Sequence, residues 1–411
     1  FLGGPTVGAA AGIALLIGMV VLWTQQRLWR WACRHHRALC VAGLLFAVAA
    51  VAFWVLGGAA ALVAHHDAGE PFSWTNGTSI WPTEILRLLA AILCLVFFVK
   101  ASRDLLVNED RLADEFFFTV KRGSHVSPSA LWANLQRVYH PTPGAAMTAD
   151  QAWSQYREAG LPVQRVFRVV ILFLLYTGIM ILLGNWIFDE EFIRPCRGPF
   201  SCRVDQVLTL SSISLTVLLN LFVFDAVLLC RRWIGSLGKA ANEWPEALRQ
   251  KYVKDYGVDQ HDHRAFEQLK GLACIDLIAQ RTHVVNRLIR YPFIALLILI
   301  VARNNYFDLW SIPLALVVVW TVNVLLALGG AFLLYQSANK AKQAVLSDLS
   351  RQLLQTWGRG KDQEFRAKQI QQITEEVESN RQGAFVPLYQ QPVIESSLYG
   401  AVALLQYLYL G

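Results

Sequence analysis

The stretch 204–232 constrains the fold of this chain more than any other. It reads VDQVLTLSSISLTVLLNLFVFDAVLLCRR, and between Asp205 and Arg231 the only charged residue is Asp225. About 20 apolar residues suffice for a helix to cross the hydrocarbon core, because a helix rises about 1.5 Å per residue and satisfies its own backbone polar groups. Six comparable runs follow the same plan. The sequence therefore favours a transmembrane helix over the core helix of a soluble protein.

Composition agrees with a membrane protein. Hydrophobic residues make up 55% of the chain and charged residues 16%, whereas soluble domains carry about 25% charged residues. The net charge is +7, but the basic residues cluster beside the apolar runs, where the positive-inside rule places them. The basic charge therefore indicates a lipid bilayer as the partner and argues against nucleic-acid binding.

The distribution of basic residues predicts the topology. The other six apolar runs are 6–23, 41–64, 84–99, 166–188, 288–301 and 309–335. Four clusters of arginine or lysine fall on one side of the predicted membrane, beginning with the cluster 27–37 after the first run. We expect a bacterial inner (plasma) membrane protein whose N-terminus lies outside and whose C-terminal tail is cytosolic.

The fold class predicted is an all-α polytopic membrane protein with about seven transmembrane helices and helical cytosolic extensions. Its expected segments are transmembrane helices 1–3 in 1–100, a cytosolic helical insertion in 101–164, helices 4–5 with an external cysteine loop in 165–231, a second insertion in 232–287, helices 6–7 in 288–336, and a cytosolic tail in 337–411. Thr148 and Gln151 have the spacing of a capping box, which predicts that a helix begins there.

The tail carries an apolar stripe that needs a packing partner. Its apolar residues recur every three or four positions, as in an amphipathic helix: Val345, Leu349, Leu353, Trp357, Ile370, Ile373 and Val377. The stripe packs either inside the protomer or on another subunit, and 337–382 is also a possible contact for a cytosolic protein. The apolar end, 396–411, is short for a crossing, so we expect an interfacial or re-entrant helix, with an eighth crossing as the alternative.

Asp225 is the main candidate for an intramembrane site. An ionised aspartate within the bilayer costs about 2.5–3.5 kcal/mol, so it needs a partner. Arg168 and Arg290 begin their own helices at a similar depth and are the ion-pair candidates. Three further residues of the same run are candidates for lining a pore, the first two near the face of Asp225 and the third elsewhere: Ser211, Ser214 and Asn220. The sequence leaves two interpretations open, a polar path for ions or protons and an ion pair that fixes helix register.

Two further intramembrane positions and one loop are singled out. Arg87 follows Glu84 by three residues, so the two can pair on one helix face or form an external selectivity site. Asn323 is expected to make an interhelical hydrogen bond. Cys196 and Cys202 lie in the predicted external loop, where a disulfide would stiffen the chain.

The sequence offers no signature of an enzyme. It contains no phosphate-binding loop, nucleophile elbow or zinc-protease motif. The HDH sequence at 261–263 has no further ligand cluster beside it, so a solvated loop is expected rather than a metal site. We assign no catalytic residue, no metal and no cofactor.

These features favour an oligomeric channel or a membrane effector gated through its cytosolic helices. The hypothesis depends on the polar residues around Asp225, the tail stripe and the lack of enzyme motifs. The alternatives are a transporter of small molecules or lipids and a non-conducting scaffold for a cytosolic partner.

Overall fold

The computed structural model describes residues 82–119, 148–187, 199–238, 244–256, 263–302, 314–356, 361–391 and 394. These residues form α-helices and short 3-10 turns, with no strand among them. The helices are α1 (Pro82–Glu115), α2 (Ala149–Ala159), α3 (Pro162–Ile187), α4 (Pro199–Leu237), α5 (Glu246–Asp255), α6 (His263–Leu288), α7 (Arg290–Val301), α8 (Leu314–Thr356) and α9 (Lys361–Ser379). The 3-10 turns are Gly383–Phe385 and Leu388–Gln390.

Four stretches of the described helices are long and apolar enough to cross a membrane. They are Ile85–Glu115, Val207–Leu237, Leu269–Val301 and Val318–Thr356. A fifth is added if α2 and α3, which meet at a bend of 55°, form one broken span. The all-α fold and the membrane class are thus supported, but the number of seven crossings is not confirmed. The runs 6–23 and 41–64, and the terminal stretch 396–411, lie outside the described residues.

Three helices are much longer than a membrane crossing needs. Helices α1, α4 and α8 contain 34, 39 and 43 residues, whereas about 20 span the hydrocarbon core. The change from apolar to polar residues predicts that the crossings 84–99 and 309–335 end near the first polar residues. The helices instead continue to Glu115 and Thr356, because neither 100–115 nor 336–356 contains a glycine or proline to end them. Each long helix therefore joins an apolar part to a polar part without a break.

Helix α4 is the centre of the bundle. It packs against α1, α2, α3, α6, α7 and α8, and 78% of its most apolar window is buried, against 39% for α1 and 33% for α8. Arg87 on α1 contacts Thr209 on α4, and Cys94 on α1 contacts Thr216 on α4. The second contact lies seven residues further toward the C-terminus on both helices. Helices α1 and α4 therefore run parallel.

A polar layer, formed by α2, α5, α6, α9 and the C-terminal ends of α1, α4 and α8, packs against the apolar parts of the bundle, and α6 continues into α7 within the stretch Leu269–Val301. The predicted capping box is confirmed, since the Thr148 side chain accepts a hydrogen bond from Gln151 N and the Gln151 side chain accepts one from Thr148 N. Helix α9 packs on α8 and α6. The buried members of the predicted tail stripe are Leu349, Ile370, Ile373 and Val377. Packing inside the protomer therefore covers most of this stripe, and Trp357 lies outside the described residues.

The segment after α9 turns back onto α6 through Gly383. This glycine has φ +61°, and a Cβ placed on it would lie 2.4 Å from the carbonyl oxygen of Ala279 and 2.4 Å from Thr282 Oγ1. The next residue, Ala384, donates its backbone N–H to Thr282 Oγ1 at 3.0 Å. Both the conformation and the close approach require glycine at this position.

We expect Gly383→Ala to detach this segment from α6. The left-handed conformation costs an L-residue about 1–2 kcal/mol, and the contact with the backbone of α6 adds to that cost. The thermal midpoint should fall, and backbone amides of 380–391 should exchange hydrogen faster. Gly235→Ala is the matched control, because a Cβ there meets nothing within 4 Å and alanine favours a helix. A midpoint for Gly383→Ala equal to that of the control would contradict the prediction.

Candidate functional site

A buried ion pair joins α3 to α4. Arg168 donates from Nε to Asp225 Oδ1 at 2.7 Å and from Nη2 to Asp225 Oδ2 at 3.0 Å, and both side chains are at most 5% exposed. The same Nη2 donates to the carbonyl oxygen of Ala159, at the end of α2, at 2.8 Å. This geometry is a bidentate salt bridge, in which both carboxylate oxygens accept hydrogen bonds from one guanidinium group. Asp225 therefore faces protein rather than lipid.

A second arginine lies beside this pair. Arg165 Nε is 3.4 Å from Asp225 Oδ2, and the guanidinium carbon lies 5.2 Å from the centre of the Phe222 ring. Sequence reasoning missed Arg165, although it precedes Arg168 by one helical turn. The other predicted candidate, Arg290, is exposed at the start of α7, and the structure does not bring it to Asp225. The only sequence signal for a partner of Asp225 is depth along the membrane normal. Depth does not tell toward which neighbouring helix a side chain points.

Arg281 on α6 is the most completely buried charge among the described residues, with 0% exposure. Its Nε donates to Tyr156 Oη at 2.8 Å, and its Nη1 donates to Leu105 O at 3.1 Å and to Asn108 Oδ1 at 2.8 Å. Its Nη2 donates to Glu109 Oε1. One side chain thus ties α6 to α1 and α2, with every nitrogen of the guanidinium group engaged.

Arg281 is likewise not among the residues predicted from the sequence, although the sequence contains a signal for it. Arg281 lies inside an apolar stripe of α6 with helical spacing, whose members Leu277, Ile278, Val285 and Leu288 are all fully buried. An arginine within such a stripe must be buried and therefore paired. The lysine and arginine residues of 232–287 predict a cytosolic helical insertion, and that prediction does not address which of its residues are buried.

The second polar contact inside the bundle connects three helices. Asn220 Nδ2 on α4 donates to the backbone and side-chain oxygens of Asn323 on α8, at 2.8 and 2.9 Å. Asn323 Nδ2 in turn donates to Tyr176 Oη on α3 at 3.2 Å and to Val319 O at 2.8 Å. These bonds place Asn323 in the interhelical role expected for it and give Asn220 a partner on a different face from Asp225.

The serines proposed to line a path are only half-buried. Ser211 and Ser214 are intermediate in exposure, whereas Ser212 and Thr216 are buried. Ser212 donates to Thr209 O at 3.0 Å and Thr216 donates to Ser212 O at 2.7 Å. The buried hydroxyl groups therefore bond to the backbone of their own helix, as is usual for serine and threonine in transmembrane helices.

The remaining predicted positions are only partly described. Arg87 is buried and donates from Nη1 to Thr209 Oγ1 on α4 at 2.9 Å. Glu84 lies in the first turn of α1, but its side chain is outside the described part, as is its expected pairing with Arg87. Cys202 lies in the first turn of α4 and Cys196 lies outside the described residues, so their disulfide stays a prediction.

Two tyrosines connect α5 to α6 and α9 within the polar layer. Tyr252 donates from Oη to Asp276 Oδ2 on α6 at 3.1 Å, and Tyr256 donates to the two carboxylate oxygens of Glu376 on α9 at 2.8 and 2.9 Å. Burial raises the pKa of both phenols above the ordinary value of about 10, and the neighbouring carboxylates raise it further. Both hydroxyls therefore remain protonated donors throughout the neutral range.

The polar groups described above join helices to one another. Within the described residues, no group of three or more His, Cys, Asp or Glu side chains could hold a metal ion. Comparison with protein-family models, curated proteins and solved structures gives no match for this chain. The two buried charge clusters, Arg168–Asp225–Arg165 and Arg281–Glu109, are thus the features from which a function can be argued.

Proposed function

We propose that this chain is a membrane effector that assembles into an oligomer and opens an ion-conducting path when its polar layer changes state. The observation that carries this proposal is the continuity of α1, α4 and α8, each of which passes from the apolar bundle into the polar layer without a break. A displacement of the polar ends of these helices is transmitted to their apolar parts, since a packed helix moves as a rigid element.

The buried charge clusters support this coupling because they lie where the two layers meet. Asp225 is six residues from Arg231, at the end of its apolar run, and the Arg281 partners on α1 follow the basic residues Lys100 and Arg103. A charged group in such a position has few favourable arrangements, because every alternative leaves it buried without a partner. The clusters therefore favour discrete states of the boundary over a continuous range.

Conduction between protomers agrees with the packing better than conduction through one protomer. The polar side chains Asp225, Asn220 and Asn323 are bonded to neighbouring helices within the protomer. By contrast, in the part of the chain that the structure describes, only 33% of the apolar window of α8 and 39% of that of α1 are buried. In this proposal these faces contact lipid and a second copy, and the oligomer places a path on its central axis.

The proposal is tested by recording from purified protein in planar bilayers, with the oligomeric state measured by native mass spectrometry. We expect unitary current steps and a closed oligomer, and we expect Glu109→Gln, which weakens the contact with Arg281, to change the open fraction. The control is Glu364→Gln, which removes an exposed ion pair with Lys368 on α9.

Each alternative has its own outcome in the same experiment. Silent bilayers with a monomeric protein would overturn the proposal. Silent bilayers with saturable solute uptake into proteoliposomes would indicate a transporter, and a stoichiometric cytosolic protein that co-purifies with a silent oligomer would indicate a scaffold.

A further inference from the structure

Among the described residues, the charges buried around Arg165 do not balance. Three arginines (Arg165, Arg168 and Arg281) and two carboxylates (Asp225 and Glu109) are buried in this part of the structure. Asp225 gives both of its oxygens to Arg168, and Glu109 is bonded to Arg281. Arg165 shares the charge of Asp225 at 3.4 Å, without the geometry of a hydrogen bond.

Arg165 also has donors without acceptors. Its Nε and Nη2 are buried and have no hydrogen-bond acceptor in the part of the chain that the structure describes. Only 4% of its side chain is exposed, so bulk water is not a substitute. The cation–π contact with Phe222 offsets part of the cost of this burial, but a ring face accepts less than a full negative charge.

Other buried donors without acceptors lie in the same layer. The indole N–H groups of Trp153 and Trp233 have no acceptor among the described residues, and the two rings are 5.5 Å apart. The Tyr156 ring lies 5.6 Å from the Trp153 ring and 5.2 Å from the Trp233 ring, and the guanidinium group of Arg281 lies over it, which places both indoles beside the Arg281–Glu109 cluster. The Gln164 side chain, next to Arg165, is buried with both polar atoms unsatisfied. The five unsatisfied donors named here outnumber the one unsatisfied acceptor, Gln164 Oε1. A surplus of donors beside a buried positive charge is the environment that an anion requires.

We propose that the buried guanidinium group of Arg165 is the centre of a site that binds one small anion per protomer. The ligand chemistry is that of a compact negative acceptor, either a dissolved ion such as chloride or phosphate or the phosphate of a lipid headgroup. The anion supplies the negative charge that Asp225 and Glu109 leave missing. This proposal is independent of conduction, since an anion that completes an ion cluster stabilises the fold whether or not the protein opens a path.

The first test compares the thermal midpoint of the delipidated full chain in sodium gluconate, chloride and phosphate at equal ionic strength. A fourth sample holds the protein in gluconate with nanodiscs of phosphatidylglycerol. We expect chloride, phosphate or the anionic lipid to raise the midpoint by about 2 °C or more over gluconate, because a ligand that binds only the folded state stabilises it. A rise in the lipid sample alone assigns the acceptor to a headgroup. Equal midpoints in all four samples would overturn the proposal.

The variant Arg165→Gln shows whether Arg165 binds an anion or only forms an ion pair with Asp225. If Arg165 needs an anion, the variant loses the difference between gluconate and the other samples, and in gluconate it is at least as stable as the wild type. If Arg165 mainly serves Asp225, the variant is destabilised equally in every sample, and the proposal fails. Lys368→Gln, on the exposed face of α9, is the control and should keep the wild-type anion dependence.

A measurement on the unmodified protein covers the case in which the variant does not fold. Equilibrium dialysis of the delipidated wild type with radiolabelled chloride and with radiolabelled phosphate should show saturable binding of about one ion per protomer for at least one of them, or binding of the anionic lipid in their place. Absence of saturable binding of any of the three would refute the site.

Discussion

Replacement of Asp225 by asparagine is expected to lower the free energy of unfolding by about 3–5 kcal/mol, the usual cost of removing one partner from a buried ion pair. Asparagine keeps the size of the side chain, so the loss comes from charge and not from a cavity. Arg168 then loses its carboxylate partner, and Arg165 loses the nearest negative charge. The measurement is the unfolding free energy in bicelles, obtained by titration with sodium dodecyl sulfate.

The same substitution at an exposed aspartate provides the control. Asp348 lies on the exposed face of α8 and accepts a hydrogen bond only from Gln352, one turn further along the helix, among the contacts described. Asp348→Asn should change the unfolding free energy by less than about 0.5 kcal/mol, as is usual for surface positions. If Asp225→Asn and Asp348→Asn change the unfolding free energy by the same amount, then Asp225 is solvated in the native protein and does not form a buried ion pair with Arg168.

What the sequence predicted well are the features that depend on neighbours along the chain. The crossing 204–232 and the capping box at Thr148 follow from local hydropathy and local hydrogen bonding, and α4 and α2 lie where those signals place them. The contact of Arg168 with Asp225 does not belong to this group, because 57 residues separate the two. Their depth relative to the ends of their own helices made Arg168 one of two candidates, beside Arg290. Depth narrows the choice of partners to a few residues.

The features that the sequence did not predict depend on rotation about helix axes and on distant contacts. Arg165 and Arg290 have comparable depths, yet only Arg165 turns toward Asp225, and that direction is set by how α3 packs on α4. Arg281 meets Glu109 from a distant part of the chain. The left-handed backbone of Gly383 is likewise imposed by the contact with α6 and not by its own neighbours.

The uninterrupted helices are the clearest case of a signal that was present and misinterpreted. A change from apolar to polar residues marks the edge of a membrane, but it does not end a helix, because lysine, arginine, glutamate and glutamine are all good helix formers. Helix α8 passes through such a change near Gln336 and continues for five more turns to Thr356. The boundary in composition and the boundary in secondary structure are therefore two different predictions.

Arg281→Met is expected to cost about 3–5 kcal/mol of unfolding free energy, because it leaves the Glu109 carboxylate buried without its cation. Methionine has a similar length, so packing against the stripe of α6 is largely kept. The variant also removes the donors to Tyr156, Asn108 and Leu105 O, which loosens α6 from α1 and α2. The matched control is Arg351→Met, on the exposed face of α8.

The double variant Glu109→Gln/Arg281→Met distinguishes charge from hydrogen bonding. If the cost of Arg281→Met comes mainly from a stranded carboxylate, neutralising Glu109 as well should restore part of the lost stability, so that the double variant is more stable than Arg281→Met alone. If the two changes simply add, the ion pair contributes little, and Arg281 acts through its bonds to Tyr156, Asn108 and the backbone of α1. In that case the cluster is a junction of hydrogen bonds, and its charge does not confine the boundary between the two layers to discrete states.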